Sequence, residues 1–331
     1  MAHRDLVGIV LAAGDSTRMK SGTPKVLHPL LGRPMLEYVI RAVQGSGVSR
    51  LLVVIGFRQE MVVEAFRGFK VDFVIQEERL GTAHAVLQAA SCLEGFEGDC
   101  LITCGDTPLL SEQTLDTFHR RHSEESADVT LLTAFLDNPF GYGRIIRDEG
   151  KGIVGIIEEK DATEEQRRIR EINTGVYCFK GSVLFDLLRR IGKENRQGEY
   201  YLTDSISLAR EAGLSIANHV LQDPEEILGV NSRIELARVT ALIKRRKMED
   251  LMLNGVTIID PGATYIESDV SIGRDSVIYP FVVIEGKTVI GKECIIYPFT
   301  YIKDLCVGDG ECVGNAALGP FDSSVSGAYN E

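Results

Sequence analysis

Residues 6–13 read LVGIVLAA, and the turn Gly14-Asp15-Ser16-Thr17-Arg18 follows them directly. A short run that is almost wholly apolar is typical of a strand buried on both faces of a parallel sheet. Further apolar runs lie at 51–56, 71–76, 100–106 and 127–135. Helical patterns separate them at 35–47, 59–66, 83–93 and 112–123. Strands that alternate with helices predict an α/β, Rossmann-like domain with a mostly parallel sheet.

A different pattern begins after Pro261. Isoleucine recurs at every sixth position, at 266, 272, 278, 284, 290, 296 and 302. The position four residues after each isoleucine is small or β-branched, and these positions are Val270, Ser276, Val282, Thr288, Cys294, Thr300 and Cys306. A period of six matches neither a helix nor an ordinary strand, and it predicts a hexapeptide β-helix whose isoleucines point inward. The register slips by one residue after Ile302, at Val307 and Val313.

These patterns divide the chain into four parts. The α/β domain is predicted at 1–232, and a linker helix follows at 233–256, where apolar residues recur at helical spacing before Gly255. A short left-handed parallel β-helix of about three coils is predicted at 257–313. Residues 314–331 are expected to form an irregular tail.

Composition excludes several classes of protein. The 331 residues carry 48 acidic and 36 basic side chains, a formal net charge of -12. An acidic chain without a basic tract binds nucleic acid poorly, because that binding relies on neutralising phosphates. No apolar run approaches the ~20 residues that span a bilayer, and the first residues lack the pattern of a secretory signal. The seven cysteines form no CxxC pair, which favours reduced thiols and no zinc site. We therefore expect a cytoplasmic protein that binds neither nucleic acid nor a membrane.

The turn after the first strand has the composition of a nucleotide-binding loop. Ala12, Ala13 and Gly14 would let a base or a phosphate approach the backbone closely. Arg18 and Lys25 add positive charge in an acidic chain, and such cations bind phosphates. The turn matches neither GxGxxG nor GxxxxGK[ST], so the dinucleotide and P-loop fingerprints are excluded. A tight turn with two solvated cations remains the alternative.

Residues 11–36 resemble the signature of sugar-1-phosphate nucleotidyltransferases, and here they read LAAGDSTRMKSGTPKVLHPLLGRPML. The chain is most similar to the uridylyltransferase half of the bacterial bifunctional UDP-N-acetylglucosamine pyrophosphorylase and glucosamine-1-phosphate N-acetyltransferase. Further blocks of this resemblance lie at 76, 80–85, 104–109, 141–145, 158–162, 171–175, 198–204 and 229–233. A hexapeptide helix after such a domain is also the arrangement of that family. One departure is Ser16, where the family usually has glycine, although a serine hydroxyl can still bond a phosphate.

The resemblance implies an enzyme that forms UDP-N-acetylglucosamine and pyrophosphate from UTP and N-acetylglucosamine-1-phosphate. It implies that Arg18, Lys25 and Asp106 are catalytic and that Asp106 and Asn231 bind Mg²⁺. The nucleotide would be bound by Leu11, Ala12, Ala13, Gly14, Lys25, Gln76, Gly81, Thr82, Cys104, Gly105 and Asp106. The sugar would be bound by Gly143, Glu158, Asn173 and Asn231.

Simpler structural roles remain open for several of these residues. Without the resemblance, Asp106 could cap the next helix, and Gln76 could be only a polar residue at the end of a strand. We expect His84 to be structural, because a phosphate nucleophile is already ionised and needs no general base. His119 and His122 lie three residues apart on a polar helix, and we expect both to be exposed.

The short β-helix affects the functional prediction. In the bifunctional relatives a longer helix carries an acetyl-CoA-dependent acetyltransferase whose residues would lie beyond 331, so we expect no acetyl transfer from this chain. The sides of a β-helix prism favour a homotrimer. One alternative function is a nucleotidyltransferase for another pair, such as glucose-1-phosphate with UTP or dTTP. The other is a non-catalytic nucleotide-sensing or assembly subunit, against which Arg18, Lys25 and Asp106 argue.

Overall fold

The computed structural model describes residues 5–14 and 17–314, and these fall into two compact units. The first unit lies within Met1–His28 and Pro34–Glu235, and the second within Pro29–Arg33 and Leu236–Glu331. Ser16 and the tail predicted after residue 314 lie outside the described residues. In the part of the chain that is described, no helix is both long enough and apolar enough to cross a membrane.

A nine-stranded sheet forms the centre of the first unit. The strands of this part of the chain are β1 (Leu6–Leu11), β2 (Pro29–Leu30), β3 (Arg33–Pro34), β4 (Arg50–Ile55), β5 (Asp72–Ile75), β6 (Asp99–Cys104), β7 (Val129–Phe135), β8 (Arg144–Arg147), β9 (Ile153–Ile157), β10 (Glu171–Lys180) and β11 (Ile216–Val220). The sheet has the order β11-β7-β10-β6-β1-β4-β5, with β8 attached to β10 and β9 attached to β8, while β2 pairs with β3. β1 is parallel to β4 and β6, whereas β10 is antiparallel to β6 and β7. The predicted α/β fold with a mostly parallel sheet is confirmed.

Helices accompany these strands, and the sheet is buried on both faces. The helices of this unit are α1 (Met35–Gly45), α2 (Gln59–Ala65), α3 (Thr82–Leu87), α4 (Glu112–Glu125), α5 (Gly181–Arg189) and α6 (Asp204–Glu211). The last helix, α7 (Arg233–Leu253), belongs mostly to the second unit. Along β1, Val7 and Ile9 belong to one hydrophobic cluster, and Leu6 and Val10 belong to the other. Two buried faces explain why this strand is a continuous apolar run rather than an alternating one.

The prediction that His119 and His122 are exposed is wrong. Both side chains of α4 are buried, with 6% and 1% of their surface exposed. They contact Asp99, a fully buried carboxylate at the start of β6, at Nε2–Oδ distances of 3.1 and 3.5 Å. His122 Nδ1 is also hydrogen-bonded to Thr130 Oγ1, at 2.7 Å. A polar helix therefore turns its histidines inward, because a buried carboxylate lies beneath them.

Short parallel strands form three faces of the second unit, as expected for a left-handed hexapeptide β-helix. They are β12 (Thr257–Ile258), β13 (Tyr265–Ile266), β14 (Ser271–Ile272), β15 (Val277–Ile278), β16 (Val283–Glu285), β17 (Val289–Ile290), β18 (Ile295–Ile296), β19 (Tyr301–Lys303), β20 (Cys306–Val307) and β21 (Cys312–Val313). Ile266 lies beside Ile284, and Ile284 beside Ile302, so one coil takes three hexads. Ser276, Thr288 and Cys294 are fully buried inside the coils.

The last coil explains the slip in the repeat. Ile290 pairs with Val307, so this coil is one residue shorter than the others. Val307 takes the inward position, and Cys306 moves to the outward position before it. Cys306 occupies one of the small or β-branched positions of the six-residue repeat, but the shortened coil moves its side chain to an exposed position.

Candidate active site

A cleft opens where β1 and β6 end side by side. Leu11 is the register partner of Cys104, and the Gly105 amide donates to Leu11 O at 2.9 Å. The cleft has a volume of about 640 Å³ and is lined by Leu11, Ala12, Ala13, Gly14, Lys25, Val26, Gln76, Arg79, Gly81, Thr82, Ala85, Cys104, Asp106 and Glu199. Ligands of open α/β sheets bind at this edge. The lining includes every residue predicted to bind the nucleotide except Gly105.

The first strand leaves room for a flat ligand as it enters the turn. The Ala12 amide is held by Val54 O at 2.8 Å, which fixes the direction of the chain. A Cβ atom added at Gly14 would meet no atom within 4 Å among the surrounding residues that the structure describes, which exclude residues 15 and 16. The predicted close approach to the backbone is therefore sterically possible here.

Four polar side chains meet at the edge of this cleft. Lys25 Nζ donates to Asp106 Oδ2 at 2.5 Å and to Asn231 Oδ1 at 3.1 Å. Arg18 Nη2 donates to the same Asn231 oxygen at 3.0 Å. We call Arg18, Lys25, Asp106 and Asn231 the charge cluster. Two cationic side chains therefore lie beside one carboxylate and one amide oxygen. Cationic side chains can bind the phosphates of a polyphosphate, and the two oxygens are suitable ligands for its accompanying metal ion.

The backbone at the start of α7 holds Asn231 in place. The Asn231 amide donates to Glu235 Oε2 at 2.7 Å, and Val230 N donates to Asp106 O at 2.9 Å. Ser232 Oγ donates to the same Glu235 carboxylate and accepts from the Glu235 amide. This is a variant of the capping box in which the carboxylate accepts from the Asn231 amide, and its Ser-x-x-Glu signal is visible in the sequence. The sequence analysis did not identify Glu235, although this signal could have found it.

A second part of the cleft is built around Gly81. Its φ of +116° is unfavourable for other residues, and a Cβ atom there would lie 2.4 Å from Tyr200 O. Tyr200 O also accepts from Ala83 N at 2.9 Å, and Thr82 Oγ1 accepts from Leu202 N. The segment around Tyr200 therefore supports the start of α3. Gln76, only 4% exposed, lies beside it and lines the cleft.

Of the four residues predicted to bind the sugar, Gly143, Glu158 and Asn173 are brought together, whereas Asn231 lies in the charge cluster. The Asn173 amide donates to Gly143 O at 2.9 Å, and a Cβ atom on Gly143 would lie 3.6 Å from Glu158 Oε1. Burial raises the pKa of the Glu158 carboxyl, and Asp204 and Asp161 add to this effect, although a hydrogen bond from Thr203 opposes it. Acceptor and donor groups of this kind suit sugar hydroxyls.

Sequence analysis missed Arg144, which lies behind these residues. Its guanidinium is 1% exposed and pairs with Glu159 at 2.6 Å. It also donates to Tyr142 O and to Arg167 O. Arg144 therefore ties the loop that contains Gly143 to the residue next to Glu158.

The environment of Cys104 favours the protonated form of its thiol. Burial and the nearby Asp106 carboxylate raise the pKa of the Cys104 thiol to about 12, although Lys25 opposes the shift. A thiol in this state stays protonated at neutral pH and reacts slowly.

Fold and site together define a nucleotidyltransferase domain followed by a hexapeptide β-helix. A model of the MobA-like NTP transferase domain matches residues 8–167, and a model of six bacterial transferase hexapeptide repeats matches residues 265–304. The chain is 49% identical over 277 residues to "Bifunctional protein GlmU" of Pelotomaculum thermopropionicum, covering 84% of this chain and 60% of that protein. It is 48% identical over 284 residues to the GlmU protein of Geobacter metallireducens, covering 86% and 60%. The chain is similar to these GlmU proteins, and it spans about three fifths of their length.

Proposed function

We propose that this chain is a uridylyltransferase that forms UDP-N-acetylglucosamine and pyrophosphate from UTP and N-acetylglucosamine-1-phosphate. The observation that carries the proposal is the charge cluster beside the cleft at the ends of β1 and β6. Its place in the fold is where an α/β sheet binds nucleotides. The names of the GlmU relatives and the matching nucleotidyltransferase model support the same class of reaction.

In the proposed reaction, an oxygen of the sugar phosphate attacks the α-phosphorus of UTP. A new oxygen–phosphorus bond forms while the bond from the α-phosphorus to the pyrophosphate oxygen breaks, and pyrophosphate leaves. The nucleophile is already ionised, so catalysis depends on positioning and charge rather than on proton transfer. Arg18 and Lys25 would neutralise the triphosphate and the departing pyrophosphate.

We propose Mg²⁺ as the cofactor, with Asp106 and Asn231 as its ligands. The residues fit this ion, because their oxygens both contact the single Lys25 ammonium group and so share one position that favours a cation. Among residues 5–14 and 17–314, no group of three or more His, Cys, Asp or Glu side chains is arranged to hold a metal. That suits Mg²⁺, which binds through one or two carboxylates together with phosphates and water. The bound ion would supply charge neutralisation of the phosphates.

For the sugar, we propose the pocket formed by Gly143, Glu158 and Asn173. The contact between Gly143 and Asn173 and the partly buried Glu158 carboxyl support this assignment. A buried acceptor that is built to receive hydrogen bonds discriminates against ligands that cannot donate them.

Pyrophosphate release by the purified chain with Mg²⁺ and UTP tests the proposal. N-acetylglucosamine-1-phosphate, glucose-1-phosphate and glucosamine-1-phosphate are compared as second substrates, and dTTP replaces UTP in a parallel series. We expect turnover with UTP and the N-acetyl sugar. Preference for glucose-1-phosphate or dTTP would assign the chain to another sugar nucleotide. A folded chain that binds UTP but turns over no pair would be a sensor or an assembly subunit.

We also propose that the β-helix assembles as a homotrimer. Phe281 and Phe299 stack at 5.3 Å between ring centroids on the surface of the second unit, and 56% and 72% of their side chains are exposed. Exposed aromatic side chains in such a cluster are typical of interaction surfaces. Sedimentation equilibrium tests the trimer, and a monomer at micromolar concentration would contradict it.

A cytoplasmic location completes the proposal. All seven cysteines, buried or exposed, are free thiols. Free thiols are typical of proteins in a reducing compartment. Cell fractionation followed by detection of this chain tests the location, and recovery outside the cytoplasm would contradict it.

A further inference from the structure

The side-chain amide of Gln76 has a defined orientation in the cleft. Its Nε2 lies 3.2 Å from Gly81 O and 3.0 Å from His84 Nδ1. A carbonyl oxygen can only accept, so the amide atom that faces Gly81 O must be the NH₂ group. Both protons of that group are then directed at protein acceptors. In the described part of the chain no group donates to Gln76 Oε1, so the oxygen is the part of the amide left for a ligand.

His84 takes part in this orientation through one ring nitrogen. To accept from Gln76, Nδ1 must carry no proton, and a neutral imidazole then has its proton on Nε2. Gln88 lies on the other side of the ring, with Nε2 at 3.1 Å from His84 Nε2 and at 3.0 Å from His84 O. A neutral ring accepts at only one nitrogen, so only one of the two glutamines can donate to it. Gln76 is buried and Gln88 has the His84 carbonyl as its acceptor, which assigns the ring's acceptor to Gln76.

The plane of the His84 ring is held as well. It stacks on Tyr200 with 6.4 Å between ring centroids and an angle of 26° between planes. Tyr200 is the residue whose backbone packs against Gly81 and accepts from Ala83. His84, Gln76 and Gly81 are thus fixed relative to one another by the same supporting segment.

We infer that His84 is a positioning residue that makes Gln76 present an acceptor to the nucleotide base. An acceptor binds the imino N3–H that uracil and thymine carry, whereas cytosine has a lone pair at N3. The arrangement therefore selects UTP against CTP and leaves uracil and thymine undistinguished. This inference rests on the proposed function, because it requires a pyrimidine nucleotide in this cleft.

The test is the ratio of kcat/KM for UTP to that for CTP, measured by pyrophosphate release with N-acetylglucosamine-1-phosphate. His84→Ala removes the acceptor, and we expect the ratio to fall about tenfold, since Gly81 O still holds one amide proton. His84→Asn places an oxygen near the position of Nδ1 and should restore the ratio. Gln88→Ala is the matched control, because it changes the other side of the ring and should keep the ratio within about twofold.

A change in the ratio of kcat/KM for UTP to that for CTP distinguishes a positioning role of His84 from a merely structural role. Loss of activity with both nucleotides in equal proportion in folded His84→Ala would overturn the inference, as would failure of His84→Asn to restore the ratio. If His84→Ala does not fold, His84→Leu retains an apolar body against Tyr200 and is measured instead. Calorimetric binding of UDP and CDP gives the same comparison without turnover. A wild-type chain that uses no nucleotide would refute the proposed function, whereas an unchanged ratio in an active enzyme would refute only the role of His84.

Discussion

The β-helix and the candidate active site are assembled in different ways. In the β-helix, Ile284 and Ile302 occupy equivalent positions because the same hexads recur along the chain. In the charge cluster, Lys25 meets Asp106 across 81 positions and Asn231 across 206 positions. Repetition builds the first region locally, whereas sheet order and register build the second. Single substitutions should therefore act mainly on stability in the coils and mainly on catalysis in the cluster.

The largest effect is expected from Asp106→Asn. It replaces the carboxylate that pairs with Lys25 and leaves a neutral amide of similar size. We expect kcat/KM to fall by about 10³-fold, because charge stabilisation is the main contribution to this type of catalysis. Steady-state pyrophosphate release measures the change.

The control for Asp106→Asn is Asp72→Asn. Like Asp106, Asp72 pairs with a cationic side chain, in this case Arg50 on the same sheet. The Asp72 side chain, however, is 52% exposed and lies outside the cleft. Its substitution should leave activity within about twofold. Equal losses in the two variants would show that the cluster has no special role.

A smaller effect, on stability, is expected from Asp99→Asn in the first unit. The variant removes the fully buried carboxylate that contacts His119 and His122. Breaking one partner of a buried charged group costs about 3–5 kcal/mol. Urea unfolding at pH 7 measures the loss, and a change below about 1 kcal/mol would contradict the assignment.

Acid should reduce the difference between wild type and Asp99→Asn. Burial alone would raise the pKa of the Asp99 carboxyl, but hydrogen bonds with His119 and His122 lower it well below its usual value of 3.8. As pH falls below about 4, the unfolded chain takes up a proton before the folded chain does. The stability that Asp99 contributes is therefore present above this pH and is lost below it. Unfolding measured from pH 7 to pH 3 checks the direction.

Ile284→Ala is the corresponding test in the β-helix. Ile284 is fully buried between two coils, and removing such a side chain costs about 2–5 kcal/mol. Val289→Ala is the control, because Val289 is outward and 46% exposed, and its cost should be below about 1 kcal/mol. Thermal unfolding of both variants decides whether inward and outward positions differ as the repeat predicts.

The smallest effect is expected from Arg144→Lys. A lysine cannot reproduce the planar fork that contacts Glu159, Tyr142 O and Arg167 O. We expect KM for N-acetylglucosamine-1-phosphate to rise about tenfold and KM for UTP to stay within about twofold, because the substitution disturbs only the residues that we propose bind the sugar.

Arg147→Lys is the matched control for Arg144→Lys. Arg147 lies on the same strand and pairs with Glu171, but its side chain is more exposed. Both KM values should stay near those of the wild type. A rise in both KM values for Arg144→Lys would place its effect outside the sugar pocket.

Much of the fold could be predicted from the pattern of apolar residues. Continuous runs such as 6–13 predicted strands buried on both faces, and the six-residue period predicted the β-helix. Such patterns predict strands and repeats because the period of apolar residues along the chain reflects which positions face the core. The same reasoning failed for His119 and His122, since the carboxylate that draws them inward belongs to β6 rather than to their own helix.

The candidate site was predicted in outline and completed by the structure. The motifs indicated Lys25, Asp106 and Asn231, but their mutual distances depend on sheet order. Glu235 had a visible capping signal. Arg144 begins β8 and lies in the block at 141–145, but nothing in the sequence indicated its burial, because arginine is most often exposed.

By itself, the sequence determined which segments are strands, where the repeat begins and which residue types are present for phosphate chemistry. These are consequences of local periodicity and of side-chain chemistry. Only the tertiary structure decided that Lys25 contacts both Asp106 and Asn231. It also decided that the NH₂ group of Gln76 bonds the protein and that its oxygen is left for a ligand. The physical reason is that a hydrogen bond forms only at particular distances and angles. For segments far apart in the sequence, these distances and angles are set by the way the strands and helices pack together, and local sequence patterns do not specify them.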